Sequence, residues 1–292
     1  MPLNLPIDKI SHEIKKGCLY IVATPLGNLN DITLRAIFIL AKVDWVAAED
    51  TRTTTRLLSH FGIKAKLISC HEYNEIERIP QLIDRLKAGK TIAIVSNAGT
   101  PAISDPGYRL VKAAVAEGIS VTPVPGACAA VAALSASGLP TDSYTFIGFP
   151  PKKKGKQIRQ LKPLASEPRT LIFYESPRRL LSFINTLTAI MGDRQAVLTR
   201  ELTKIHEEFI RGRLSEIQHR LYKRKEIKGE CTLLVHGAAK VAKISWQDIH
   251  LEIEHAVSTG NAPLAELSKK IAKKYSLPKK KVYKAALMLK KQ

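Results

Sequence analysis

From residue 19 onward, short apolar runs alternate with amphipathic segments, and this alternation restricts the fold more than any other feature. The runs at 19–23, 43–48, 66–69, 91–95 and 121–124 are four to six residues long, too short for buried helices and right for strands. Between them, 33–40, 56–60 and 76–87 space their apolar residues at helical intervals. Strands that alternate with helices predict a mostly parallel sheet covered on both faces. The run at 129–134 is built of small residues and reads as a closely packed helix.

A second unit begins near Tyr144, with strands expected at 144–147, 170–174, 196–199 and 231–236 and helices between them. From about 245 the pattern becomes wholly helical. Within it, 264–289 reads as helix, a turn at 276–278, then helix, a helix-turn-helix-like arrangement. The expected class is therefore α/β. A polar leader (1–16) precedes an N-terminal α/β domain (17–127), a C-terminal α/β domain (128–240) and a basic helical module (241–292).

Length and composition agree with two ordinary domains: 292 residues, 45% of them hydrophobic, can bury a sizeable core. No run approaches 18 apolar residues, so no membrane span is expected. Residues 1–16 lack the apolar core of a signal peptide, and a cytoplasmic protein is expected. Cys18, Cys70, Cys128 and Cys231 form no CxxC pair and the histidines no HExxH, so reduced thiols and no metal are expected.

The net charge of +20 is unevenly spread. Residues 1–150 carry 15 basic and 13 acidic groups, 151–240 carry 20 and 9, and 241–292 carry 11 and 4. A near-neutral half is joined to a strongly basic one, as expected of a chain whose second half meets a polyanion through phosphate contacts. In the second half, Lys152, Lys153 and Lys154 cluster in a turn-rich loop, Arg178 follows a strand end, and Lys273, Lys274 and Lys280 lie on the tail helices. For the tail, the alternative is a solvated basic hairpin packed on the rest of the protein.

Ligand sites on parallel sheets lie beyond the carboxyl ends of the strands. The most informative such segment is 96–107, Ser-Asn-Ala-Gly-Thr-Pro-Ala-Ile-Ser-Asp-Pro-Gly. Twelve small, polar or turn-forming residues cannot pack a core, yet they let backbone groups wrap a ligand. Ordinary βα loops run only about 2–6 residues. At neighbouring strand ends, Glu49-Asp50-Thr51-Arg52 and His71-Glu72-Tyr73-Asn74 gather carboxylates, an imidazole and a guanidinium. These suit either proton transfer and substrate orientation or helix caps and ion pairs. A Walker A loop, GxGxxG and GxSxG are all missing.

The stretches ATPLGNLNDIT, AAEDTRTT, SNAGTPAISDPGYRLV, PVPGACAAVAALSASGLP, FIGFPP, FYESPRR and GECTLLV, in this order over residues 17 to 240, resemble the tetrapyrrole methylase superfamily. The resemblance implies a class III methyltransferase: two α/β domains with S-adenosylmethionine folded in the cleft between them, usually in a homodimer. It extends to the members that methylate the 2′-oxygen of a cytidine in 16S ribosomal RNA, with the rRNA or the small subunit as partner. Carried over by position, Leu26, Gly27, Thr100, Pro101, Ala102, Ile103, Cys128, Ala129 and Phe173 are the implied cofactor contacts. Thr100 stands where the family more often has aspartate, and the first loop lacks the GxGPG form of the porphyrin-methylating members.

On this reading Asp50, His71 and Glu175 are the candidate bases, and Arg52 and Arg178 the candidate phosphate contacts near them. Two other readings use the same residues: methylation of a small tetrapyrrole-like substrate, and RNA binding without catalysis. The basic surplus argues against the first of these, and the long 96–107 loop against the second.

Overall fold

A computed structural model describes residues 13–239, 246–259, 263–275 and 277–290. Most of the expected leader, the expected start of the tail near 241–245 and the turn residue Ser276 lie outside the described residues.

The first sheet holds β1 (Leu19–Val22), β2 (Trp45–Ala48), β3 (Leu67–Ser69), β4 (Ile92–Val95) and β5 (Val121–Val124), in the order β3-β2-β4-β1-β5. All its pairings are parallel. Its helices are α1 (Leu34–Lys42), α2 (Thr51–His60), α3 (Glu75–Lys87) and α4 (Tyr108–Ala116). Side chains alternate across a strand, so both faces of the central strands must be apolar. Tyr20 and Val22 of β1 join the core under α1, with Ile37 and Leu40. Leu19 joins the opposite core, with Leu82 and Leu86 of α3 and Leu110 of α4. Thr33 starts α1 by accepting the Ala36 N–H at 3.1 Å.

After α5 (Ala129–Ser135), the second sheet holds β6 (Tyr144–Gly148), β7 (Thr170–Glu175), β8 (Gln195–Arg200), β9 (Glu208–Arg213) and β10 (Cys231–Val235). Their order is β6-β7-β10-β8-β9; β6 and β7 are parallel and the other pairings antiparallel. One face packs on α6 (Lys154–Leu164), α7 (Pro177–Met191) and α8 (Leu214–Tyr222) through Phe173, Leu198 and Leu233. The other face, through Ile172, Val197 and Leu234, packs on Ala130, Ala133 and Leu134 of α5. The alanines of α5 let that helix lie close to the sheet.

Two elements had no clear sequence signal. Strand β9 carries Glu208, Arg211 and Arg213 and buries only Ile210 fully, so its pattern reads as polar. Helix α4 directly follows the 96–107 loop, whose turn residues mask its start.

The chain divides into two compact units, Met1–Ala238, which contains both sheets, and Ala239–Gln292. In the second unit, α9 (Trp246–Thr259), α10 (Leu264–Tyr275) and α11 (Lys279–Lys290) pack around Ile253, Ile271, Val282 and Ala286. No helix among the described residues is long and apolar enough to cross a membrane.

Candidate active site

Three loops at the carboxyl ends of β1, β4 and β5 are bonded to one another. Thr24 and Gly99 exchange backbone hydrogen bonds at 2.8 and 2.9 Å, and the Thr24 hydroxyl donates to Ser96 O at 3.1 Å. The Thr100 hydroxyl donates to Ala127 O at 3.0 Å. Within 96–107 the backbone is left-handed at Gly99 (φ 81°), Ala102 (68°), Ser104 (64°) and Gly107 (124°). A residue with a Cβ at 107 would also sit 2.9 Å from the Ile94 Cδ1 atom. Left-handed non-glycine residues cost about 1–3 kcal/mol each and persist only where their surroundings hold them. The buried Glu75 supplies part of that hold: its Oε1 accepts the N–H groups of Gly107, Arg109 and Leu110, each at 3.1 Å.

These loops and the facing end of the second sheet enclose a cavity of about 400 Å³, the size of a small-molecule site. Leu26, Asn97, Thr100 and Ile103 line it from the first sheet, Cys128 and Ala129 from the start of α5, and Tyr174, Glu175 and Cys231 from the second sheet. Its lining includes four carboxylates, Glu49, Asp105, Glu175 and Glu230, and among the described residues no lysine, arginine or histidine. Burial, with the negative charges of Glu49 and Glu230, pushes the Asp105 carboxyl up to about 6, against the pull of the Ser96 hydroxyl.

Glu175 is 2% exposed. Burial raises its pKa although the Ser176 N–H (2.6 Å) and the Arg179 guanidinium (2.5 Å) favour the anion. Its Oε2 has no hydrogen-bond partner among the described residues. Tyr174 accepts the Ala130 N–H at 3.0 Å, and burial raises its pKa. Phe149, 56% exposed, lies 5.5 Å from Tyr174 and adds an aromatic wall. Burial pushes the Cys231 thiol up to about 12, which keeps it unreactive.

Most of the implied cofactor contacts meet here, but not all. Leu26, Thr100, Ile103, Cys128 and Ala129 line the cavity. Pro101 is buried under the loop, and Ala102 spends its N–H on Pro106 O at 3.1 Å. Gly27 faces neighbouring openings, the larger lined also by His60, Lys204 and His206. Phe173 is fully buried in the core against Phe183, because strand alternation turns it away and presents Tyr174.

Of the candidate bases, Glu175 alone lines the cavity. Asp50 instead caps α2 and pairs with Arg52 at 3.0 Å; the Arg52 hydrogen bonds hold its carboxyl at about 2. His71 is half-buried with its ring against Tyr73, and its Nδ1 lacks a partner among the described residues. Lys152 and Lys153 are exposed in the loop that follows Phe149, the exposed Lys154 is the first residue of α6 and not part of the loop, and the exposed Arg178 follows the lining residue Pro177. Arg179 bonds Pro150 O at 3.4 Å, which brings this basic loop and the start of α7 together at the cavity rim. In the second unit Lys273 and Lys280 are exposed, and Lys274 pairs with Glu252 at 2.7 Å. Tyr174, Phe149 and Glu230 were not expected from sequence; the period-two alternation of β7 would have found Tyr174.

The family profile for tetrapyrrole (corrin/porphyrin) methylases matches residues 18–218. The chain is 47% identical over 273 residues to a ribosomal RNA small subunit methyltransferase I from Halalkalibacterium halodurans, covering 92% of this chain and 94% of that protein. Its fold is similar to that of a cobalt precorrin-4 methyltransferase of cobalamin biosynthesis (TM-score 0.58, 20% identity, 77% of this chain and 98% of the other). It is also similar to a uroporphyrin-III C-methyltransferase from Thermus thermophilus complexed with S-adenosylhomocysteine (TM-score 0.53, 20% identity, 74% and 96% coverage).

The chain thus belongs to the tetrapyrrole methylase family, a class of S-adenosylmethionine-dependent methyltransferases. Within that class its group is the ribosomal RNA small subunit methyltransferase I type.

Proposed function

We propose that this protein transfers a methyl group from S-adenosylmethionine to the ribose 2′-oxygen of a cytidine in 16S ribosomal RNA, acting in the cytoplasm as a homodimer. The observation that carries the reading is the contrast between the cavity and its rim. A chain of net charge +20 has built a pocket lined by four carboxylates and, among the described residues, no basic side chain. Such a pocket suits a cationic ligand, and the unpartnered Glu175 Oε2 is an acceptor waiting for a donor. The relative with S-adenosylhomocysteine bound supports the same choice.

When bound, S-adenosylmethionine supplies a methyl on a sulfonium, an electrophile that needs no further activation. What remains for the protein is placement. The bonded loops around Thr24, Gly99 and Thr100 make a rigid wall, and orientation is worth up to ~7–11 kcal/mol of a barrier. Leu26, Ile103 and Phe149 give the cavity part of its apolar lining. Lys152, Lys153, Lys154 and Arg178, exposed around the rim, suit the phosphates of a strand whose ribose enters the cavity. Lys273 and Lys280 of the tail unit add a second basic surface for the same RNA.

The test offers methyl-labelled S-adenosylmethionine with small ribosomal subunits, naked 16S RNA, or a porphyrin precursor. Label in RNA alone supports the reading. Label in the porphyrin, or no transfer, refutes it.

A further inference from the structure

Two further cavities continue from the large one. Leu26 and Asn97 line it and also a second cavity of about 250 Å³, which takes Thr53, Arg56 and Leu57 from α2. Gly27 and Leu29 line both that cavity and a third of about 850 Å³, bounded by His60, Lys204 and His206. Shared walls join the three into one groove. It leaves the large cavity at Leu26 and opens at the surface, where Asn28, Asn30, His60 and His206 are exposed.

Along this groove the charge changes sign. The four carboxylates stay in the large cavity. Among the described residues, the two continuing cavities are lined by Arg56, His60, Lys204 and His206 and by no carboxylate. The sequence of α2 dictates one wall: Thr53, Arg56, Leu57 and His60 are spaced i, i+3, i+4, i+7 and so share one face over about 10 Å of helix. The opposite wall is held by loop 201–207. Thr203, left-handed at φ 64°, accepts the Asn28 N–H at 3.1 Å. Lys204 bonds Glu201 at 2.9 Å and Glu230 at 3.3 Å, and it lies so close to Gly27 that a Cβ there would collide with it. Lys204 thus braces the wall and shares its charge with two carboxylates. Arg56 is exposed and forms no ion pair among the described residues.

We infer that this groove carries the sugar–phosphate backbone of the RNA beside the target nucleotide, with Arg56 on a phosphate and the target ribose entering at Leu26 and Asn97. The inference rests on the methyltransferase reading and adds to it the track of the substrate. A backbone with a negative charge on every phosphate is repelled by the carboxylates of the large cavity and attracted by the groove. A cationic cofactor is sorted the opposite way. Thr53, Asn28 and Asn30 offer neutral groups of the kind that bond phosphate and sugar oxygens. Arg52, one turn before Arg56, is held by Asp50 and lines none of the three cavities.

The experiment measures binding of small ribosomal subunits against salt concentration, with calorimetric titration of S-adenosylhomocysteine and light scattering of the free protein in parallel. The variants are Arg56→Gln, Thr53→Glu and Lys112→Gln, the last an exposed lysine of α4 that lines none of the three cavities. Thr53 is the third residue of α2, where glutamate favours a helix, so Thr53→Glu places a negative charge in the groove without weakening that helix. Arg56→Gln should weaken subunit binding roughly fivefold at 0.1 M salt and flatten the slope of log affinity against log salt by about 0.7. Thr53→Glu should weaken binding further, and Lys112→Gln should leave affinity and slope unchanged. S-adenosylhomocysteine affinity should stay of the same order in all three. Wild-type affinity and slope in either groove variant overturn the assignment. So does an equal loss in Lys112→Gln, which would mean attraction by overall charge alone. A parallel loss of S-adenosylhomocysteine affinity overturns it by making the groove part of the cofactor site. A changed oligomeric state in Thr53→Glu overturns it by making the groove an interface between copies of this chain. If the wild type binds S-adenosylhomocysteine but no subunits, the substrate reading itself fails and this assignment falls with it.

Discussion

Glu75 Oε1 accepts the Gly107 N–H at 3.1 Å, so a carboxylate at the start of α3 closes the loop that lines the cavity. The same oxygen takes the N–H groups of Arg109 and Leu110, the first free donors of α4. Glu75→Ala leaves all three without their acceptor, those of Gly107 and Leu110 buried. Unfolding in urea should show a loss of about 2–4 kcal/mol, more than an ordinary cap, because several bonds to a charged group go together. Glu75→Gln, which keeps an acceptor oxygen, should recover part of that loss.

Asp105 should cost stability where it is charged. Its folded-state pKa of about 6 lies above that of the unfolded chain, so the folded protein binds the extra proton between the two values. The Asp105 contribution therefore becomes more favourable as pH falls from 7 towards 4. Asp105→Asn should raise stability at pH 7 by roughly 1 kcal/mol after allowance for solvent screening, and the gain should shrink on acidification. Paired denaturant melts at pH 7 and pH 5 check both the sign and the trend.

The opposite sign applies to Glu208. Arg224 and Arg200 hold its carboxyl below the usual range, Arg224 Nη1 at 2.7 Å and Arg200 Nε at 3.2 Å from its Oε2. That stabilisation is present above the unfolded pKa and is lost as pH falls through the folded value. Glu208→Gln should lower stability by about 1 kcal/mol at pH 7. Melts in strong acid should find variant and wild type converging.

Replacing Lys152, Lys153 and Lys154 by glutamine should weaken RNA binding without changing S-adenosylhomocysteine affinity. For every phosphate that a lysine no longer neutralises, the slope of log affinity against log salt should flatten by about 0.7–0.9. Lys273→Gln with Lys280→Gln should act the same way if the tail unit docks on the same RNA. Unchanged slopes would mark these lysines as solvated surface.

The sheet and the cavity were unequally legible in the sequence. The strands of the first sheet could be read because β1 and β4 are buried on both faces, which leaves uninterrupted apolar runs. The 96–107 loop could be read as irregular and exposed to a cavity at the strand ends because twelve small, polar or turn-forming residues cannot pack a core. Which carboxylate faces the cavity could not, because that depends on how loops from three strand ends converge. Glu49 and Asp50 are adjacent, yet one turns to Asn97 and the other to the first N–H groups of α2. Phe173 and Tyr174 differ by one position on a strand, and the alternation of side chains along β7 decides which of them lines the cavity.

The most direct measurement is mass mapping of small-subunit RNA after incubation with the protein and S-adenosylmethionine. One added methyl is expected on the ribose of a cytidine in 16S RNA. A methyl on a base, or RNA left unmodified while S-adenosylmethionine still binds, would contradict the assignment of this protein as a ribose methyltransferase.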